Sequence, residues 1–351
     1  MADATLWRKP CSCLSLIGWP TKTEELLMSD SAMTLPGIIR ILGRGKTGSR
    51  DLTFEEAHFA MSAILDGKME DLQLGAFLML LRVKEETSSE IAGMVQACHD
   101  AISIRDTVQV DVTWPAYAGK KRQPSWYLLA AKLLAQNGVS VLMHGAGHHT
   151  ANRQYAQQVC QLLNLPCATL IESASNLIQE HNFCYIPLEA MNPTLSRLID
   201  LKHTLGLRSC ANTLVRHLTP FKTNLTLQAM FHPAYQSLHH EVAEKLSQNN
   251  NIVLKGDGGE FEVRPDSETR IAIQGYHPLD NDFVPKSLKR RSVRPDAPTF
   301  TALIELWNDD SSNAYGLQAT VDTAAIILSK LQSLPYVDAQ KQTHIWWKNR
   351  Y

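Results

Sequence analysis

The chain has 351 residues, 44% of them hydrophobic, enough to bury one large or two ordinary cores. Its 34 Lys and Arg stand against 35 Asp and Glu, and the net charge of −1 excludes any global pull toward nucleic acid or membrane, so affinity for a polyanion must be local. The seven cysteines are odd in number and scattered, with only Cys11 and Cys13 close together, which argues against a disulfide framework or a zinc site and for a reducing cytoplasm.

Residues 1–32 read as an N-terminal extension. Arg8 and Lys9 precede a short apolar patch, as in a signal peptide, but Pro20 breaks it and no small-residue cleavage site follows. No run is apolar for the length of a membrane span. From Met33 to residue 105 the pattern predicts an all-helical block. Ile38, Ile39, Ile41 and Leu42 suit a short helix, and "GRGKTGS" is a glycine-punctuated loop. Thr53 with Glu56 forms a capping box opening a second helix, a third runs through 72–81, and a fourth starts with Ser88 or Ser89 as its cap.

After residue 105 the period changes. Strand-like runs at 107–113, 139–143, 167–171, 252–255, 261–263 and 270–274 alternate with helix-length segments, the signature of an α/β layer over 106–335. Two further helices between Pro193 and Arg216 are assigned to the helical domain, and 336–351 reads as a C-terminal tail.

Six motifs in order carry a resemblance: "GRGKTGSRDL" (43–52), "GKKRQ" (119–123), "MHG" (143–145), "LGLRSCANTLVRHLTPF" (205–221), "HPAY" (232–235) and "LKGDGGEFEVRP" (254–265). The chain resembles the glycosyltransferase family 3 proteins, which include anthranilate phosphoribosyltransferase and the pyrimidine nucleoside phosphorylases. It looks most like the YbiB-type, second TrpD-like branch. The resemblance implies an α/β domain with a separate all-helical domain, a nucleoside phosphorylase/phosphoribosyltransferase-like architecture, and a homodimer formed through the helical domain.

The resemblance also shows what is missing. A phosphoribosyltransferase of this type holds the diphosphate of phosphoribosyl pyrophosphate on a Gly-Thr-Gly-Gly-Asp turn followed by an Asn-x-Ser-Thr helix start, because backbone N–H groups must approach the phosphates closely. Here Pro115, Ala116, Tyr117 and Ala118 stand where the Gly-Thr-Gly-Gly falls. Gly119 takes the Asp position, Ser125 the Asn and Tyr127 the Ser. The Lys-His-Gly-Asn-Arg motif becomes Met143, His144, Gly145, Ala146 and Gly147. The magnesium-binding Asp-Glu pair falls on Gly259 and Glu260, with Asp257 nearby. Ordinary phosphoribosyl transfer is therefore not expected. No cofactor is expected beyond a residual Mg²⁺ site, no metal site is assigned, and no catalytic residue is assigned.

Arg208 and Asn212 keep the "LGxR…N" pattern, and Lys120, Lys121 and Arg122 occupy the mouth of the old phosphate site. Together with Arg44 and Lys46 they are the candidate phosphate contacts, with His144, Gly145, Asn212 and Glu260 as residual cleft residues. Each has a plainer reading: "GKKRQ" as a solvated turn, "GRGKTGSRD" as a capped helix–helix loop, "GDGGE" as a tight turn. The densest basic patch, Lys286, Lys289, Arg290, Arg291 and Arg294, reads equally as a flexible surface loop. His144, His148 and His149 lack the carboxylate or Cys that would complete a zinc site. "IWWKNRY" offers Trp346, Trp347, Lys348 and Arg350 for base stacking, or docks on the surface.

The function expected is nucleic-acid binding, DNA included, through the sugar–phosphate backbone without sequence readout. The competing expectation is a glycosyltransferase or phosphoribosyltransferase with an altered donor site, using His144, Asn212, Glu260 and Arg208.

Overall fold

The computed structural model describes residues 33–102, 108–147, 150, 152–230, 235–293, 295, 298–309 and 313–350. The expectations for 1–32, for His148, His149 and Arg294, and for most of "HPAY" lie outside these.

Four helices come first: α1 (Leu35–Gly43), α2 (Phe54–Leu65), α3 (Asp71–Lys84) and α4 (Ser88–Asp100). Thr53 and Glu56 form the expected capping box on α2. On α4 the cap is Thr87, one residue before the expected serines. It forms a second capping box, in which the Thr87 hydroxyl accepts from Glu90 N and the Glu90 carboxylate accepts from Thr87 N.

The α/β layer follows as β1 (Gln109–Ala116), α5 (Trp126–Gln136), β2 (Val141–Gly145), α6 (Ala156–Leu162), α7 (Ile171–His181) and β3 (Phe183–Pro187). Short helices α8 (Leu188–Met191), α9 (Pro193–Asp200), α10 (Lys202–Leu205) and α11 (Ala211–Leu214) lead to β4 (Lys222–Met230). Then come α12 (Tyr235–Lys245), β5 (Asn251–Lys255), β6 (Thr269–Ile273), β7 (Phe283–Val284), α13 (Thr301–Asp309), α14 (Ala314–Gln332) and α15 (Tyr336–Lys348).

Strand order is β3-β2-β1-β4-β5-β6-β7, parallel through β5 and antiparallel for the last two. Two strand expectations fail. Residues 167–171 hold only an isolated bridge from Cys167 to Tyr185 before α7 begins, and 261–263 are buried without joining the sheet. β3 and β4 lie outside the expected runs. β3, "FCYIP", is buried and apolar throughout, so nothing in it alternates to distinguish it from helix, whereas β4 alternates from Leu225 to Ala229, a strand signal that the expected runs omit.

Side-chain alternation sends the two sheet faces into separate cores. Val141, Met143, Phe183 and Tyr185 pack with α5, α14 and α15, whereas Leu142, Cys184 and Ile186 pack with the four-helix block and α9. Helix α5 is apolar apart from Lys132 and Gln136, and every other residue in it is buried. The described part of "IWWKNRY", Ile345 to Arg350, is no separate tail. It belongs to α15 and its end, where Trp347 is buried and the Arg350 guanidinium lies 4.0 Å from its ring centroid while donating to Trp307 O.

Candidate anion-binding site

Parallel sheets bind ligands beyond the carboxyl ends of their strands, at the point where strand order reverses. That point lies here between β1 and β4. The segments converging on it are the turn after β1, the loop after β5, the end of β4 and the α10–α11 region.

The turn after β1 is filled rather than open. Strand pairing runs to Ala116, and Tyr117, Ala118 and Lys120 are all buried. Lys120 N donates to Gln154 O at 2.9 Å and Gln154 N to Lys120 O at 2.8 Å, which clamps the turn onto the loop before α6. Gly119 has φ of +67°, and a Cβ there would press on the Tyr155 ring, so glycine is needed for both backbone and space. Its N–H, the group a phosphate would seek, donates to Glu260 Oε1.

The N-terminus of α5 is filled in the same way. Tyr127 N donates to Glu262 Oε2 at 2.9 Å, and Ser125 N and Oγ both donate to Gln154 Oε1 at 2.9 Å. Glu262 Oε1 and Asp257 Oδ2 each accept from Lys120 Nζ at 2.7 Å. The anion at this helix end is thus the chain's own carboxylate, neutralised by its own lysine. Burial opposes the charge on Lys120, but Glu262 and Asp257 outweigh it and hold the ammonium above its ordinary range. Burial pushes Glu262 up to about 7 against the pull of Lys120.

This arrangement corrects the assignment of Lys120. With no exposed surface and two carboxylate partners, it cannot meet an external phosphate. The residual magnesium site does not fit either. Lys120 Nζ sits where Asp257 and Glu262 converge, and Glu260 holds the Gly119 N–H. Among the described residues no three His, Cys, Asp or Glu side chains are grouped to share a metal ion.

His144 is also not a cleft residue. It is fully buried, accepts at Nδ1 from the Tyr117 hydroxyl at 2.8 Å and donates from Nε2 to Leu218 O at 3.1 Å, and burial pulls its pKa down to about 3. It is a neutral hydrogen-bonding residue of the core. Gly145 is structural, since a Cβ there would run into Ala116 O on the neighbouring strand.

What remains open is a cleft of about 420 Å³ beside the filled turn, lined by Arg82, Arg153, Arg208 and Arg216 with Asn212 among others. Arg216 Nη1 donates to Ala229 O at 3.3 Å and Gly259 O at 3.4 Å, and burial draws its pKa downward while Glu260 opposes that. Arg153 Nη1 donates to Ala118 O at 2.9 Å and Gly119 O at 3.0 Å, so the turn presents carbonyls, each already taken, on this side. Glu86 is the carboxylate in the lining and accepts from Thr213 Oγ1. Glu260 is fully buried, and burial raises its pKa against Arg216.

Of the expected contacts, Arg208 and Asn212 line this cleft. Lys121 and Arg122 are exposed at the turn, and Lys121 lines an adjoining cavity that shares Arg153. Arg44 and Lys46 are exposed on the α1–α2 loop and line neither. On that loop Arg50 folds back in a two-pronged pair with Glu56. Lys286, Lys289, Arg290 and Arg291 are exposed. Arg82, Arg153, Arg216 and Glu262 escaped the sequence reading. The only signal for Glu262 was its two-residue spacing from Glu260.

The helical block at residues 36–101 matches the model described as "Glycosyl transferase family, helical bundle domain". Anthranilate phosphoribosyltransferase from Saccharomyces cerevisiae, solved in complex with PRPP and Mg, superposes with a TM-score of 0.70 at 16% identity, covering 90% of this chain and 95% of that one. The fold is that of anthranilate phosphoribosyltransferase. In sequence, this phosphoribosyltransferase-fold chain is 29% identical to an uncharacterized protein of Aquifex aeolicus over 67% of its own length and 72% of the relative's. It is also 29% identical to the uncharacterized protein YbiB of Escherichia coli, over 64% and 71% respectively. Among the described residues no helix is long and apolar enough to cross a membrane.

Proposed function

We propose that this phosphoribosyltransferase-fold protein binds nucleic acid through its sugar–phosphate backbone, without sequence readout and without phosphoribosyl transfer. One observation carries the reading. The backbone donors that would cradle a diphosphate are taken by Glu260 and Glu262, while arginine side chains line the cleft beside them. A diphosphate at the α5 end would displace or repel a buried carboxylate. Guanidinium groups along a cleft hold phosphates by charge-assisted hydrogen bonds and need no glycine turn. Arg153 lines both the cleft and the cavity containing Lys121, which makes the two one basic track without a recognition helix.

A second copy of the chain completes the proposal. On α3, Leu74, Phe77, Leu78 and Leu81 face the core, while Leu72 and Val83 are 86% and 82% exposed. Leu72 and Val83 lie on the side of α3 opposite those core residues, exposed apolar positions suited to a two-fold homodimer contact. Sedimentation of the wild type as a dimer and of Leu72→Asp as a monomer is expected.

The test of function is fluorescence anisotropy with labelled single-stranded and duplex DNA of unrelated sequences, and with RNA, using phosphoribosyl pyrophosphate with Mg²⁺ as competitor. Sequence-tolerant, salt-sensitive binding is expected, reduced for every sequence alike by Lys121→Ala or Arg122→Ala. Failure to bind any nucleic acid at low salt, together with turnover of phosphoribosyl pyrophosphate, would establish the altered transferase instead.

A further inference from the structure

Next to the arginine cleft is a cavity of about 550 Å³, lined by Lys121, Asn152, Arg153, Gln154, Gln158 and Phe300 among others. Its size falls within the range of small-molecule sites. Phe300 is 38% exposed, an aromatic ring partly open to solvent beside two cations.

Gln154 closes the wall of this cavity. Its side chain is 2% exposed, and its Oε1 accepts both Ser125 bonds, which fixes the amide orientation and identifies Nε2 as the remaining donor. Among the described residues that Nε2 has no acceptor. The Nε2 atom is itself covered, so the amide supports the wall and presents no open donor to a ligand. The cavity therefore combines an aromatic face with two cations. Arg153 is common to this cavity and the arginine cleft, so a ligand here continues along the basic track.

We propose that the cavity takes one unpaired base of a single strand. The base stacks on Phe300, and the flanking phosphates lie against Lys121 and Arg153. This rests on the nucleic-acid reading above and deepens it by naming the strand form. A base inside a duplex is not available without extrusion from its stack, whereas a single strand offers one freely. Stacking on an aromatic face tolerates any base, in keeping with binding that ignores sequence.

The test uses the full-length protein, a 2-aminopurine-labelled single strand, a duplex of the same sequence and thymidine monophosphate. Phe300→Ala is expected to weaken single-strand affinity on the order of tenfold and to abolish the change in 2-aminopurine fluorescence on binding. Duplex affinity is expected to stay unchanged, which also reports that the variant is folded, and Phe300→Tyr is expected to behave as wild type. Wild-type strand binding that Phe300→Ala leaves intact, or that it weakens equally for strand and duplex, would overturn the base pocket while leaving backbone binding standing. Displacement of the strand by equimolar thymidine monophosphate would overturn the strand assignment in favour of a free nucleotide. No binding of any nucleic acid by the wild type would remove the underlying reading itself.

Discussion

Replacing Lys120 by methionine removes the cation that neutralises the filled turn and keeps most of its apolar stem. Two carboxylates, Glu262 and Asp257, stand 2.7 Å from the ammonium, and the lysine side chain and Glu262 have no exposed surface. At an effective dielectric near 20, each contact at that separation is worth about 6 kcal/mol in Coulomb terms, which offsets a desolvation cost of several kcal/mol per ion. Taking away the lysine leaves that cost on the acids without the attraction. The expected loss is about 3–5 kcal/mol of unfolding free energy, a large share of the 5–15 kcal/mol that typically holds a domain together. Urea denaturation of wild type, Lys120→Met, Glu262→Gln and the double variant gives both the loss and the coupling energy. Glu262→Gln keeps an acceptor for Tyr127 N and is expected to cost less, and the two changes together less than their sum. A loss below about 1 kcal/mol for Lys120→Met, with additive single effects, would refute the idea that the turn is locked by an internal ion cluster.

Acid should destabilise the protein through its buried histidines. His144 and His239 are pulled by burial from 6.5 to about 3, so the unfolded chain takes up these protons while the folded one does not. Stability therefore falls as pH drops from about 6.5 toward 3, by up to about 1.4 kcal/mol per pH unit for each. Glu262 acts in the opposite sense, because its folded pKa near 7 makes ionisation costly between 4.5 and 7. Denaturation midpoints at several pH values should be less acid-sensitive in His144→Gln than in wild type, and parallel curves would contradict the assignment. Gly145→Ala places a Cβ against Ala116 O and is expected to lower stability by about 2 kcal/mol or more, read by thermal melting. An unchanged melting temperature would show that β1 and β2 can separate there.

The helical block was legible because its signals are local. Thr53 and Glu56 announce a helix start within four residues, and apolar spacing outlines its face. β3 was not legible, because a buried parallel strand lacks the polar alternation that marks an exposed one, whereas β4 carries that alternation from Leu225 to Ala229 and still lies outside the expected runs. Of the site, loss of the glycine-rich turn could be read directly, and Arg208 and Asn212 reach the cleft they were assigned to. Lys120 shows the limit. Three consecutive cations look equivalent in sequence, yet pairing of Lys120 N and O with Gln154 turns that side chain inward to Glu262 and Asp257, while Lys121 and Arg122 stay exposed. Arg82, Arg153 and Arg216 come from three separate segments, so their convergence is a property of the fold.

The central claim is that side-chain cations on this track hold the phosphates of a strand. Its most direct test is the dependence of observed affinity on salt, between about 50 and 200 mM, for wild type, Lys121→Ala and Arg208→Ala with a labelled single strand. Each phosphate contact contributes about −0.7 to the slope of log affinity against log salt, so the wild type should give a slope of about −2 to −4, and each variant one less steep by about 0.7. Variants with the wild-type slope and affinity, or a wild type whose binding ignores salt, would contradict the claim.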